Sequence, residues 1–144
     1  MKMIKTETNS FKRLLGIWKT EGIILSDNSK LKLEGKDTYE LILDGNYVLH
    51  KADVIMGKER SETIEIIEFD NSPYKAKMQY FNSRGESGVM TGSLNKTDFN
   101  IDGDRIKFRG TINDGNTEIT GKWYLQTETN DWKDFIKIKL TRQG

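Results

Sequence analysis

From Ile17 onward the chain sets apolar and polar residues in alternation, in short runs divided by turn-forming residues. In the run 116–126, Ile119, Gly121, Trp123 and Leu125 fall on one side and Glu118, Thr120, Lys122, Tyr124 and Gln126 on the other. In 132–142, Ile136, Ile138 and Leu140 oppose Lys137, Lys139 and Thr141. The run 74–81 sets Tyr74, Ala76, Met78 and Tyr80 against Lys75, Lys77, Gln79 and Phe81. In 105–112, Ile106, Phe108, Gly110 and Ile112 oppose Lys107, Arg109 and Thr111. A period of two puts successive side chains on opposite faces of a strand, one face buried and one wet. The pattern predicts strands over 17–26, 31–43 either whole or broken at Gly35, 46–56, 62–70, 74–81, 88–94, 98–102, 105–112, 116–126 and 132–142.

Between the runs stand Asp27-Asn28-Ser29, Asp44-Gly45-Asn46, Asp70-Asn71-Ser72-Pro73, Asn82-Ser83-Arg84-Gly85, Asp102-Gly103-Asp104, Asn113-Asp114-Gly115-Asn116 and Thr129-Asn130-Asp131. Asp-Gly pairs supply the positive φ of tight hairpins, so the connections read as antiparallel. None is long enough for a crossover helix, which disfavours a parallel sheet. A meander of this kind satisfies its two edges by closing into a barrel, with a β-sandwich as the alternative. In Glu62-Thr63-Ile64-Glu65-Ile66-Ile67-Glu68-Phe69 the acidic residues also recur at helical spacing, but the β-branched content favours a strand. Its apolar parity shifts from Ile64 and Ile66 to Ile67 and Phe69, which predicts a β-bulge. One helical turn is expected near the start: Ser10 as cap, Phe11, Leu14 and Leu15 on one face, and Gly16 ending it in a left-handed conformation.

Composition supports the strand reading. Fifteen Ile, thirteen Thr and three Val stand against two Ala, and β-branched side chains favour the pleated sheet. The 144 residues suit one domain, 1–144, with 1–9 a loose N-terminal segment. Lys and Arg total 23 against 22 acidic residues, a net charge of +1 that argues against a nucleic-acid partner. Without cysteine there is no disulfide, thiolate nucleophile or zinc–thiolate site, and a single histidine excludes a multi-histidine metal site. The start lacks the apolar core of a secretory signal, and no run approaches the roughly 20 apolar residues of a membrane helix. The expectation is a cytoplasmic protein that does not insert into membranes.

The segment Leu14-Leu15-Gly16-Ile17-Trp18-Lys19-Thr20-Glu21-Gly22 resembles the opening of calycin-type barrels, a short helix followed by Gly-x-Trp. Its Trp-x-x-x-Gly extension is similar to the nitrobindin branch and to a bacterial family of lipocalin-like domains of unknown function, related to the fatty-acid-binding-protein-like barrels. Leu43-Asp44-Gly45-Asn46-Tyr47-Val48-Leu49 and Lys139-Leu140-Thr141-Arg142 extend the likeness to that bacterial family over nearly the whole chain. The resemblance implies an all-β fold: a single antiparallel calycin-like β-barrel of about ten strands with a short N-terminal helix. It implies too that Gly16, Trp18 and Arg142 close one end, the arginine stacking on the indole while glycine lets the helix approach. Nitrobindin-like relatives hold haem through a histidine on the last strand. The stretch 132–140 has none, so no cofactor is expected.

His50 shares parity with Val48, Ala52, Val54 and Met56 and should point inward. A ten-stranded barrel is wider than its side chains readily fill. The expected ligand-binding walls are Val48, His50, Val54, Met78, Tyr80, Phe108 and Trp123, enclosing a small apolar or amphipathic molecule. No catalytic set and no metal site are assigned. Asp102-Gly103-Asp104 and Asp114-Gly115-Asn116 fit hairpin turns better than calcium loops. Gly85-Glu86-Ser87-Gly88-Val89 lacks the last glycine of a nucleophile elbow. Glu65 and Asp53 are expected on solvated strand faces. Two other functions share the fold: an isomerase or cyclase using His50 as acid or base in the same pocket, and a protein-interaction module with a filled barrel. Pairing as a homodimer is compatible with all three.

Overall fold

The computed structural model describes residues 9–26 and 29–144. Residues 1–8 of the expected loose segment, and Asp27 and Asn28 of the first expected turn, lie outside the described residues. Ten strands follow a 3-10 helix at Ser10–Leu14: β1 (Gly16–Leu25), β2 (Lys30–Ile42), β3 (Tyr47–Met56), β4 (Glu59–Phe69), β5 (Lys75–Asn82), β6 (Ser87–Leu94), β7 (Asp98–Gly103), β8 (Ile106–Ile112), β9 (Glu118–Gln126) and β10 (Trp132–Gln143). Each pairs antiparallel with its neighbour in sequence, and β1 pairs with β10, so the sheet is a closed barrel with no free edge. This is the all-β barrel that the alternation and the turn spacing predict.

Local expectations needed revision. The helix cap is Asn9 rather than Ser10: its side chain accepts from Phe11 N at 2.9 Å and donates to the Lys75 carbonyl at 3.0 Å, which ties the helix to the barrel. β2 runs unbroken through Gly35. A Cβ there would meet the Asp53 carbonyl and approach Val54 Cα at 2.6 Å, so the glycine serves close strand approach, not a break. The bulge expected in β4 is absent, because its register with β3 and β5 is continuous. Ile64 and Ile66 lie on the outer side, and Ser61, Thr63, Glu65, Ile67 and Phe69 share the inner one. The register shift falls instead between Asp134 and Ile136 in β10. The Asp44-Gly45 turn has positive φ at both residues, whereas at two later turns the left-handed residue is Arg105 or Asn116 rather than the glycine.

Packing grades from one end of the barrel to the other. Phe11 and Leu14 of the 3-10 helix enter one end and join Trp18, Val48, Ile67, Phe69, Leu94, Phe99 and Ile119 in the core, all at 3% exposure or less. Phe11, Phe99 and Phe108 follow one another edge to face, with centroids 6.0 and 5.5 Å apart. Farther along the same inward faces the side chains become partly accessible. Val48 leads to Val54 and Met56 on β3, Met78 to Tyr80 and Asn82 on β5, Ile119 to Trp123 on β9, and Leu140 back to Ile138 and Ile136 on β10. The barrel is therefore a cup, packed at the helix end and accessible at the other.

Candidate functional site

At the packed end, the Arg142 guanidinium lies 4.3 Å over the Trp18 ring. It donates to the carbonyls of Arg13 and Asn116 at 2.6 Å each and to that of Leu15. Burial lowers the Arg142 pKa. Trp18 Nε1 donates to the Leu14 carbonyl at 2.8 Å. Gly16 has φ +130°, and a Cβ on it would strike Arg142 Nη1. This group pins the helix across the barrel end through its own exposed carbonyls.

Where packing gives way to accessibility, β2 to β5 place a polar row. Tyr39, His50, Glu65 and Tyr80 are successive cross-strand partners, so their side chains share the inner face. His50 Nδ1 meets Glu65 Oε1 at 2.9 Å and Nε2 meets Asp37 Oδ2 at 2.6 Å. Thr20 Oγ1 donates to the other Asp37 oxygen. The Tyr39 ring stacks on His50, centroids 4.0 Å apart and planes within 6°. Burial alone would lower the His50 pKa, but the hydrogen bonds and charges of Asp37 and Glu65 outweigh it and hold the imidazole up at about 9. Burial, with Asp37 and Glu65 nearby, pushes the Tyr39 hydroxyl well above its ordinary value.

Ionised carboxylates only accept, so hydrogen bonds at both ring nitrogens require both to carry protons, and His50 is an imidazolium. Neither nitrogen is free to take a proton from, or give one to, a bound molecule without breaking this clamp. Both nitrogens being committed, His50 does not fit haem ligation, and β10 offers no histidine.

His50 faces inward as expected, but its partners are residues to which the sequence pattern assigned no role. Glu65, expected on a solvated face, is 4% exposed because the strand parity runs through it unshifted. Asp53 is on the outside, where it takes Arg60 at 2.8 and 3.0 Å. Asp37, Tyr39 and Thr20 were not singled out. Asp37 and Tyr39 share parity with Leu33, and Thr20 with Trp18, a signal present in the chain. Of the seven expected wall residues, Val48, Met78 and Phe108 belong to the packed core, while His50, Val54, Tyr80 and Trp123 are partly accessible. Phe108 and Trp123 touch, with centroids 5.2 Å apart, across the boundary between the two halves.

A cleft of about 820 Å³ crosses β2, β1, β10 and β9. Apart from Lys30 and Leu31 at the end of β2, register sorts its lining into an inward-facing row, Leu33, Gly22, Ile138 and Gly121, and two outward-facing rows. One outward row is Lys32, Ile23, Lys137 and Lys122; the other is Glu21, Lys139 and Thr120. No residue of β3 to β8 borders it, as a chamber spanning the bore would require, so it is a groove on the outer wall. None of the seven expected wall residues takes part in it.

A family model described as "Protein of unknown function (DUF1579)" matches residues 5–142. The chain belongs to this family. No curated protein matches it in sequence. Among solved structures, this DUF1579 member is similar to Rv2717c from M. tuberculosis, with a TM-score of 0.75 and 11% identity over 94% of this chain and 96% of that one. It is also similar to the S-type phycobiliprotein lyase CPES from Guillardia theta, with a TM-score of 0.64 and 8% identity over 100% and 98%. A de novo designed fluorescence-activating β-barrel has a TM-score of 0.50 and 11% identity over 94% and 98%. At these identities the likeness is one of fold alone. Among the described residues, no helix is long and apolar enough to cross a membrane.

Proposed function

We propose that this DUF1579 barrel binds a small apolar or amphipathic molecule in its accessible half, with Val54, Tyr80 and Trp123 as walls and the Tyr39–His50–Glu65 row as a polar floor. The observation that carries this reading is the burial gradient: inward side chains that are sealed at the helix end become partly accessible on β1, β3, β5, β9 and β10. A half-open apolar cup with a few convergent polar groups is the ordinary form of a small-molecule site. The reading is in keeping with a fold shared by a phycobiliprotein lyase and a fluorescence-activating design. The Asp37–His50–Glu65 clamp favours binding over acid–base turnover, since both ring nitrogens are engaged.

The test uses the neutral fluorophore N-phenyl-1-naphthylamine, titrated into the full chain while its emission is followed. Saturable enhancement is expected. Val54→Trp, which fills the mouth, abolishes it while circular dichroism stays that of a β-barrel, and Ile23→Glu in the outer groove leaves it unchanged. Enhancement that survives Val54→Trp and disappears with Ile23→Glu would place binding on the outer wall and overturn the reading.

A further inference from the structure

We propose that the occupant of the mouth carries a positive charge, an organic ammonium on an apolar body, with its N–H groups donating to Glu65 and the Tyr39 hydroxyl. This rests on the mouth being the binding site.

Charge balance is the first support. His50 contributes one positive charge through its two N–H donors, and Asp37 and Glu65, at 7% and 4% exposure, contribute two negative ones. One negative charge is left over. Thr20, Tyr39, Ala52, Thr63 and Tyr80, the inward neighbours of the clamp, bring no cation. Arg142, the inward-facing cation of the packed end, is committed to three backbone carbonyls. Buried charge without a counter-ion is costly, so the site is better satisfied with a cation than without.

The second support is a pair of unused polar atoms. Glu65 holds His50 through one oxygen, and its other oxygen, like the Tyr39 hydroxyl, has no hydrogen-bond partner among the described residues. Ser10 Oγ is the one side-chain polar atom there that is both sealed and unpartnered, so the Glu65 oxygen and the Tyr39 hydroxyl keep contact with accessible space. Both belong to inward-facing side chains more than nine-tenths buried. An ammonium has donors for both and no acceptor of its own. Tyr80, the cross-strand partner of Glu65, adds an aromatic face suited to a cation.

Isothermal titration of the full chain with decylammonium, decanol and decanoate at neutral pH tests this. Decylammonium is expected to bind about tenfold or more tighter than decanol, the worth of one charge-assisted hydrogen bond, and decanoate weaker than decanol. Glu65→Gln should bring decylammonium close to decanol, the ratio of the two affinities in the same variant being the readout. If that variant does not fold, the wild-type series decides alone. Equal binding of decylammonium and decanol, tighter binding of decanoate, or a preference that survives Glu65→Gln overturns the charge assignment and leaves the mouth reading standing. Failure of all three to bind overturns both.

Discussion

Raising the pH should destabilise this barrel through His50 alone before any other buried group responds. The clamp holds the imidazole at about 9, above its ordinary 6.5. A group whose folded-state pKa is raised contributes stability that is fully present below the unfolded value and lost as pH climbs through the folded one. The window is thus pH 6.5 to 9. A difference of about 2.5 units at about 1.4 kcal/mol each gives about 3 kcal/mol, with the side chain only 14% exposed and little screened. Tyr39, whose pKa is raised above 10, adds a loss in the same direction only at higher pH. Urea unfolding at pH 6.5 and 9.5, followed by tryptophan emission, should show the midpoint falling by an amount equivalent to about 3 kcal/mol. In His50→Gln the same two conditions should differ little, and the variant should be less stable than wild type at pH 6.5. A wild-type midpoint that does not move, or moves equally in His50→Gln, would refute the imidazolium clamp.

Arg142→Lys cannot reach the carbonyls of Arg13, Leu15 and Asn116 together or lie flat on Trp18, and should cost about 2 kcal/mol, read as a lower thermal midpoint. Gly35→Ala drives a methyl into the Asp53 and Val54 backbone, where no flexible side chain can yield, and should cost more than about 2 kcal/mol by denaturant titration. Ile67→Ala empties a fully buried site between Val48 and Met78 and should cost about 2–5 kcal/mol, with little change in binding at the far end.

The strands were legible because outward lysines and threonines alternate with apolar residues on β5, β8, β9 and β10, and a two-residue period has only one reading. Short antiparallel connections pointed to a barrel with a sandwich as the alternative, and the long-range pairing of β1 with β10 decides for the barrel. On β4, three isoleucines occupy both parities, so hydrophobicity could not tell which face was inner. What decides it is the pairing of Glu65 with His50 and of Ile67 with Val48, a long-range fact that a local pattern does not carry. Asp37 was hidden in a strand whose other charges, Lys30, Lys32, Glu34, Lys36 and Glu40, are solvated. Its identity as an inner residue follows only from counting from Leu33, and its role only from meeting His50 and Thr20 across β1 to β3. A buried polar network depends on three strands at once, and no single run of sequence shows it.

Small apolar molecules should enter the accessible end of the cup. Amide and indole NMR shifts of the isotopically labelled chain, recorded as N-phenyl-1-naphthylamine is added, test it most directly. Shifts are expected at Val54, Tyr80 and the Trp123 indole, with Trp18 and Leu94 at the packed end unmoved. Shifts concentrated at Ile23, Lys122 and Lys137, with Val54, Tyr80 and Trp123 silent, would contradict it.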